Sequence, residues 1–150
     1  MQDINDVRTQ SYFMIRRVGS YVKQVQDQDL KSILERHLPC FLEWYNEVVS
    51  FQEGEEIQQV VCNRPPSALA SMTEEEMAEE DIAIASYYLT NVKRLAIVYA
   101  QAAVEVANPQ LRQFLENNFL AANRYAYEVW QYMVKCGTVH FDRKDYKEAK

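Results

Sequence analysis

The sequence predicts an all-α protein built as a four-helix bundle, with one long crossover between the second and third helices. A helical-hairpin pattern occurs twice, because four residues recur 81 positions later: Leu30, Leu34, Glu47 and Val48 match Leu111, Leu115, Glu128 and Val129. Only three glycines and four prolines are present, which leaves little material for the turns of a β fold. Two helix pairs joined by a long connector are the plan of a bundle with a crossover.

The first predicted helix covers about residues 4–25. Its core-facing positions follow the alternating three- and four-residue spacing of a bundle, and they are Ile4, Val7, Ser11, Met14, Val18, Tyr21 and Val25. Gly19 lies beside this row, although glycine costs about 1 kcal/mol inside a helix relative to alanine. We therefore expect Gly19 to permit a close crossing with a neighbouring helix.

The second predicted helix covers about residues 29–53. Either Asp27 or Asp29 can cap its first turn, and Gly54 suits a left-handed cap at its end. Pro39 lies inside the helix, where proline removes one backbone hydrogen bond and collides with the preceding turn. Because the apolar pattern keeps its phase across Pro39, we expect a bend and not a break.

A connector of unusual length, residues 55–72, leads to the third helix. Such a segment suits a strap that crosses from one end of the bundle to the other, so that the second and third helices run parallel. Thr73 and Glu76 form a capping box and open a helix predicted over about residues 74–107. We interpret the acidic run Glu74 to Asp81 as favourable charge at the helix start.

The fourth predicted helix covers about residues 109–136. Asn108 suits its N-terminal cap, Pro109 its first position and Gly137 its end. The last segment, residues 138–150, carries charges of alternating sign and is expected to fray.

Composition bounds the class of protein. A length of 150 residues fits a single domain, 1–150, with a sufficient core. A net charge of −6 and a pI near 5.0 argue against binding to nucleic acid, which requires clustered Lys and Arg. Neither a secretion signal nor an apolar run long enough for a membrane span is recognised. We therefore expect a soluble protein made in the cytosol.

The three cysteines, Cys40, Cys62 and Cys136, are odd in number and form no CxxC pair. Neither a disulfide framework nor a zinc site is indicated by this spacing. In a cytosolic protein, thiols are normally kept reduced. We expect three reduced thiols, with Cys40 and Cys136 in the core.

A conventional di-iron site is excluded by ligand count. Such a site needs a Glu-x-x-His motif on each of two helices, because residues three apart share a helix face. No glutamate here has a histidine three residues on, and the chain has only His37 and His140. His37 and Cys40 share a face, but two ligands do not complete a zinc site.

His37 and Asn118 occupy matching places in the two hairpins. Their positions predict a buried polar layer in which the two side chains hydrogen-bond and set the register of the helices. The competing interpretation is a metal ligand or a catalytic histidine.

Glu47 and Glu128 also recur at matching places. They could be facing acids poised for proton transfer. Their helical phase instead favours positions beside the core, where Lys93, Arg94 or Arg124 would form salt bridges with them.

The second half of the chain resembles a known family. The segments that carry the resemblance are Asp81-Ile82-Ala83 at the start of a long helix, Ala107 to Arg112 between helices, and Trp130 to Met133 shortly before Gly137. These resemble the Coat F family of spore coat proteins, over Glu80 to Gly137. The resemblance implies a ferritin-like four-helix bundle with a structural role and no catalytic residues to transfer.

The hypothesis that follows is a structural or assembly protein of the bacterial spore coat, without cofactor or metal. It would be made in the cytoplasm of the mother cell and then join the spore coat. Aromatic residues outside the core-facing rows, Tyr87, Tyr127 and Trp130, are candidates for an interface with a second copy, giving a homodimer, or with other coat proteins.

Two alternatives stay open at this point. One is a degenerate ferritin- or rubrerythrin-like oxidoreductase that binds metal through His37, Glu47 and Glu128. The other is an adaptor or small-ligand binder with a cavity lined by His37, Tyr99 and Asn118.

Overall fold

The computed structural model describes residues 2–62 and 79–137, which form four helices and, within those ranges, no strand. The helices are α1 (Gln2–Gln24), α2 (Gln28–Gln52), α3 (Glu79–Glu105) and α4 (Pro109–Lys135). The prediction of an all-α four-helix protein is confirmed. The predicted start of the third helix near residue 74, the Thr73–Glu76 capping box and the frayed tail 138–150 lie outside the described residues.

Contacts between side chains set the direction of each helix in the first pair. Asn5 and Arg8, near the start of α1, both hydrogen-bond to Gln52 at the end of α2. Further along, Tyr12 of α1 contacts Tyr45 of α2, with ring centroids 5.9 Å apart. The two helices therefore form an antiparallel hairpin.

The second hairpin packs on the first with α3 beside α1 and α4 beside α2. His37 contacts Tyr88, and Trp44, two turns later on α2, contacts Tyr99 on α3. Contacts that advance together along both helices mean that α2 and α3 run parallel, so the chain must cross the length of the bundle between them. The predicted crossover is confirmed.

Aromatic side chains occupy the centre of the bundle. The largest fully buried ones are Trp44, Tyr88, Tyr99, Tyr132, Phe41 and Phe114. Several meet edge to face, as in the pairs Trp44–Tyr99 at 5.4 Å and Phe41–Trp44 at 5.4 Å between ring centroids. This geometry favours aromatic contacts, and each such side chain contributes on the order of 1.5–3 kcal/mol through burial.

The helix ends repeat in the two hairpins. Asp27 accepts a hydrogen bond from the Leu30 backbone N–H at 2.9 Å, and Asn108 accepts one from Leu111 at 3.0 Å. Asp27 and Asn108 are themselves 81 positions apart, so the repeat extends to the N-terminal caps. At the other ends, Gly54 and Gly137 adopt φ values of +97° and +71°, which glycine reaches without steric cost.

Two expectations about helix interiors have different outcomes. α2 runs through Pro39 without a break, as predicted. The expected close crossing at Gly19 is wrong, because a Cβ built on this residue meets nothing within 4 Å. The glycine lies on α1 with open space beside it.

The first part of the crossover, residues 55–62, lies along α2 and α4, and we call it the strap. Ile57 is buried in the core. The Gln59 side chain donates to the Gln110 carbonyl at 2.9 Å and accepts from Asn117 at 3.1 Å. These contacts hold the strap to the start of α4.

Cys62, at the end of the described strap, forms a disulfide with Cys40 in α2. The expectation of three reduced thiols is therefore wrong for this pair, whose Cα atoms are 6.0 Å apart. The spacing of 22 residues does not indicate a disulfide, because the two cysteines come together only when the strap folds back along α2. In the chain-entropy model, closing a loop of this size stabilises the folded state by about 3 kcal/mol.

None of the helices in the described ranges is both long enough and apolar enough to cross a membrane.

Asp81, in the first turn of α3, joins the two hairpins at one end of the bundle. Its side chain is buried, and its two oxygens accept the backbone N–H groups of Gln26 at 3.0 Å and Asp27 at 2.9 Å. These N–H groups belong to the turn between α1 and α2, where the helices offer them no partner. One carboxylate thus secures the α1–α2 turn and the docking of α3.

Replacing Asp81 with alanine is expected to lower the free energy of unfolding by about 2–4 kcal/mol, because two backbone donors lose their acceptor. Asp81→Asn retains only one acceptor oxygen and is expected to lose about half as much. Urea denaturation followed by circular dichroism measures both. Glu80→Ala, at the exposed neighbouring position, is the control and should cost under about 0.5 kcal/mol; equal losses for Glu80→Ala and Asp81→Ala would contradict this role.

Candidate functional site

Several ionisable groups meet around His37 inside the bundle. We call this group the His37 cluster, and it consists of Arg36, His37, Tyr88, Tyr125 and Glu128. α2 supplies the arginine and the histidine, α3 supplies Tyr88, and α4 supplies Tyr125 and Glu128. The cluster therefore draws on both hairpins.

Both ring nitrogens of His37 are hydrogen-bonded. Nε2 lies 2.8 Å from Glu128 Oε2, and Nδ1 lies 2.6 Å from the Tyr88 hydroxyl. A carboxylate can only accept, so Nε2 carries a proton and donates to Glu128. The Tyr125 ring covers the imidazole face in a parallel stack, with centroids 3.7 Å apart.

Glu128 is buried at 1% exposure, yet both of its oxygens have cationic or polar partners. Oε2 accepts from His37, and Oε1 accepts from the Arg36 guanidinium. Arg36 keeps 43% of its side chain exposed, so its charge remains partly hydrated. In the Arg36–Glu128 ion pair, a buried anion thus lies beside a cation that reaches solvent. This exposure lessens the desolvation cost of the pair.

The pKa values of His37 and Glu128 are both lowered. Burial lowers the pKa of His37 below 6.5, although the hydrogen bond to Glu128 opposes that shift. Burial raises the pKa of Glu128, but hydrogen bonds and charge from His37 and Arg36 outweigh burial and bring it below 4.5. At neutral pH the imidazole is therefore neutral, Tyr88 donates to its Nδ1, and the carboxylate is charged.

The two tyrosines of the cluster are held as neutral phenols. Burial, with a smaller contribution from the negative charge of Glu128, raises the pKa of Tyr125 to about 12. Burial also raises the pKa of Tyr88 well above 10. Neither phenol is placed to lose a proton near neutral pH, so both tyrosines take part in the cluster as neutral phenols.

A cleft of about 290 Å³ lies over one side of the His37 cluster. Its wall consists of Arg36, His37, Pro39, Cys40, Glu43, Val61 and Tyr125. The strap and the Cys40–Cys62 disulfide form one border of this cleft. Solvent therefore approaches the cluster at the place where the strap is bonded to α2.

The predicted polar layer has different partners. His37 and Asn118 are both buried, but the expected hydrogen bond between them is wrong, because Tyr88 and Glu128 occupy both nitrogens of His37. Among the described side chains, Asn118 Nδ2 and Trp44 Nε1 are buried without a hydrogen-bond acceptor. Tyr99, the third residue expected beside His37 and Asn118, instead bonds to Ser11 at 3.0 Å.

The two matching glutamates have unlike environments. Glu128 lies in the core and not beside it, so its expected boundary position is wrong, as are the expected partners Lys93, Arg94 and Arg124. Its partner is Arg36, which the sequence pattern did not indicate. Glu47 is half-buried and accepts the Gln58 backbone N–H at 3.0 Å, which places it at the strap.

Of the metal ligands of the alternative hypothesis, His37 and Glu128 lie together, but Glu47 lies elsewhere, at the strap. Ten residues of helix separate His37 from Glu47, a rise of about 15 Å. In the described ranges, no three His, Cys, Asp or Glu residues are arranged to hold a metal ion. The donor atoms of His37 and Glu128 are already engaged in hydrogen bonds.

The aromatic residues predicted at an interface lie on the hairpin of α3 and α4. Tyr87 is 62% exposed and Tyr127 is 50% exposed. Trp130 is only half-buried and stacks on Tyr127, with ring centroids 5.8 Å apart. What these residues contact outside the chain stays a prediction.

Comparison with known protein families finds a match for the second hairpin. Residues 80–141 match the model of the Coat F domain. The match starts at α3 and continues past the end of α4, and the resemblance noted in the sequence is confirmed. No curated protein and no solved structure matches the chain.

The Coat F domain supplies only part of the His37 cluster. Tyr88, Tyr125 and Glu128 lie within the matched residues, whereas Arg36 and His37 come from the preceding hairpin. The buried carboxylate of the domain is thus compensated by residues outside it. Buried polar groups in one half of the chain thus depend on the other half for their hydrogen bonds.

Replacing Glu128 with glutamine is expected to lower the free energy of unfolding by about 1–3 kcal/mol, because two charge-assisted hydrogen bonds are lost. Equilibrium urea denaturation measures the change. Glu47→Gln, at the matching place in the first hairpin, is the control and should cost under about 1 kcal/mol. If the two variants lost the same stability, the central role of Glu128 would be refuted.

Stability is expected to fall as pH falls from 7.5 to 5.5. The folded state holds the pKa of His37 below 6.5, so the unfolded chain binds more protons in this window, which favours unfolding by up to about 1.4 kcal/mol per pH unit. Below pH 4.5 the lowered pKa of Glu128 acts in the same direction.

The comparison that isolates this effect is between the parent protein and His37→Gln. The variant should lose the part of the pH dependence that begins near pH 6.5, as measured by urea denaturation at pH 7.5, 6.5 and 5.5. A parent protein that gains stability relative to His37→Gln on acidification would show instead that Glu128 keeps the imidazole charged.

Proposed function

We propose that this protein is a structural component of the bacterial spore coat that acts through protein–protein contacts and holds no metal centre. The Coat F domain itself suggests a spore coat protein, and this match carries the proposal. In the proposed sequence of events, the protein is made in the cytoplasm of the mother cell and then joins the coat around the spore.

The interior supports a structural role. His37 and Glu128 use their nitrogen and oxygen atoms to bond to each other, to Tyr88 and to Arg36. A metal ion would have to displace these partners and leave the Arg36 guanidinium facing a second cation. The same three bonds, in contrast, connect three helices at neutral pH.

The proposed contact surface lies on the outer face of the Coat F domain. Tyr87 and Tyr127 expose much of their rings, and tyrosine contributes both apolar area and a hydrogen-bonding hydroxyl to protein interfaces. The proposed partners are other coat proteins or a second copy of this chain.

Localisation in sporulating cells tests the proposal. A fluorescently tagged chain is expected to form a ring around the developing spore. The double variant Tyr87→Ser/Tyr127→Ser should lose that ring while keeping its thermal unfolding midpoint, whereas Tyr12→Ser, which alters an exposed tyrosine on α1, should keep it. Signal that stays dispersed in the mother cell for the parent chain would overturn the coat assignment.

Elemental analysis of the purified protein tests the absence of a metal centre. The expected result is substoichiometric iron, manganese and zinc, unchanged in His37→Gln. A stoichiometric metal that disappears in His37→Gln would favour the oxidoreductase alternative.

A further inference from the structure

We propose that the Cys40–Cys62 disulfide is a redox latch, which holds the far end of the strap on α2 and controls the width of the cleft over the His37 cluster. The latch itself follows from the arrangement of the strap. The time at which it closes rests on the proposed function, because that function moves the chain out of a reducing cytoplasm.

The strap has two groups of attachments. The first group lies at its near end, where Ile57 is buried, Gln58 donates to Glu47, and Gln59 bonds to α4. These contacts do not involve the cysteines. They are expected to remain whether or not the disulfide is formed.

Among the described residues, the disulfide is the covalent attachment of the far end of the strap, and no hydrogen bond joins residues 60–62 to the helices. Val61 is 93% exposed and contributes little burial, while Val60 and Cys62 are partly buried against the edge of the core. Cys62 is joined covalently to Cys40, which is itself buried in α2. Breaking the bond therefore releases residues 60–62, and fraying should stop near Gln59.

The released segment borders the cleft. Val61 and Cys40 form part of its wall, together with Arg36 and Tyr125. When residues 60–62 move away, the cleft opens toward the ring that covers His37. The latch thus sets how far solvent and partners can approach the Arg36–Glu128 ion pair between α2 and α4.

The chemistry of the latch is ordinary thiol–disulfide exchange. In closing, a thiolate at Cys62 attacks a low-molecular-weight disulfide and releases one small thiol, and Cys40 then attacks the mixed disulfide and releases the second. The two cysteines lose two protons and two electrons, which the small disulfide takes up to become two thiols. Because cytosolic thiols are normally kept reduced, the latch is open at synthesis and closes in an oxidising environment.

Nitrogen-15 relaxation of the full chain tests the proposal, with and without dithiothreitol. In the oxidised protein, the amides of residues 60–62 should show order parameters near 0.85, and on reduction these should fall below about 0.6. The amides of Gln58 and Gln59 should stay ordered. The thermal unfolding midpoint should drop by roughly 6–12 °C on reduction, with helical circular dichroism unchanged at 25 °C.

Two variants make the test specific. Cys62→Ser should give the open pattern with or without reductant, and Cys136→Ser, which removes the cysteine outside the disulfide, should respond as the parent does. Residues 60–62 that remain ordered in both reduced parent and Cys62→Ser would overturn the latch. Global unfolding on reduction would also overturn it, because the disulfide would then support the whole fold. Neither outcome depends on where the protein resides in the cell, so the coat assignment can fail separately.

Discussion

The constraint on which this structure depends is the charge of Glu128, a carboxylate at 1% exposure in an aromatic bundle. A buried charge is tolerated only when it is paired and hydrogen-bonded. Arg36 and His37 supply those bonds from α2, and the imidazole passes the connection on to Tyr88 of α3. Three helices must therefore hold one relative register, since a shift of one turn would leave an ion without a partner in the core.

Asp81 applies the same physics at the end of the bundle. It accepts hydrogen bonds from two backbone N–H groups of the α1–α2 turn. Glu128 likewise accepts hydrogen bonds from two side chains inside the bundle. Both acids belong to the Coat F domain, and both find their partners in the hairpin that precedes it. Specific polar bonds thus decide how the halves dock, while the apolar and aromatic contacts between them supply most of the favourable energy.

The strap adds a covalent connection to this docking. Its near end is held by burial and hydrogen bonds, and its far end by the disulfide to α2. The disulfide between Cys40 and Cys62 could not be predicted from the sequence. Their spacing in the sequence resembles no framework, and proximity appears only because parallel α2 and α3 force the chain back along the bundle.

The sequence by itself determined the four helices, the caps of α2 and α4 and the crossover, because these depend on local patterns. Asp27 and Asn108 cap their helices as their side chains dictate, and Gly54 ends α2 where a positive φ is required. It also placed His37 and Asn118 in the core. Only the tertiary structure decided which distant side chains meet. Glu128, and not Asn118, bonds to His37, and Arg36 pairs with Glu128. Cys40 bonds to Cys62. These pairings depend on the axial offset and rotation between helices distant in sequence, which side-chain packing sets and a helical repeat does not encode.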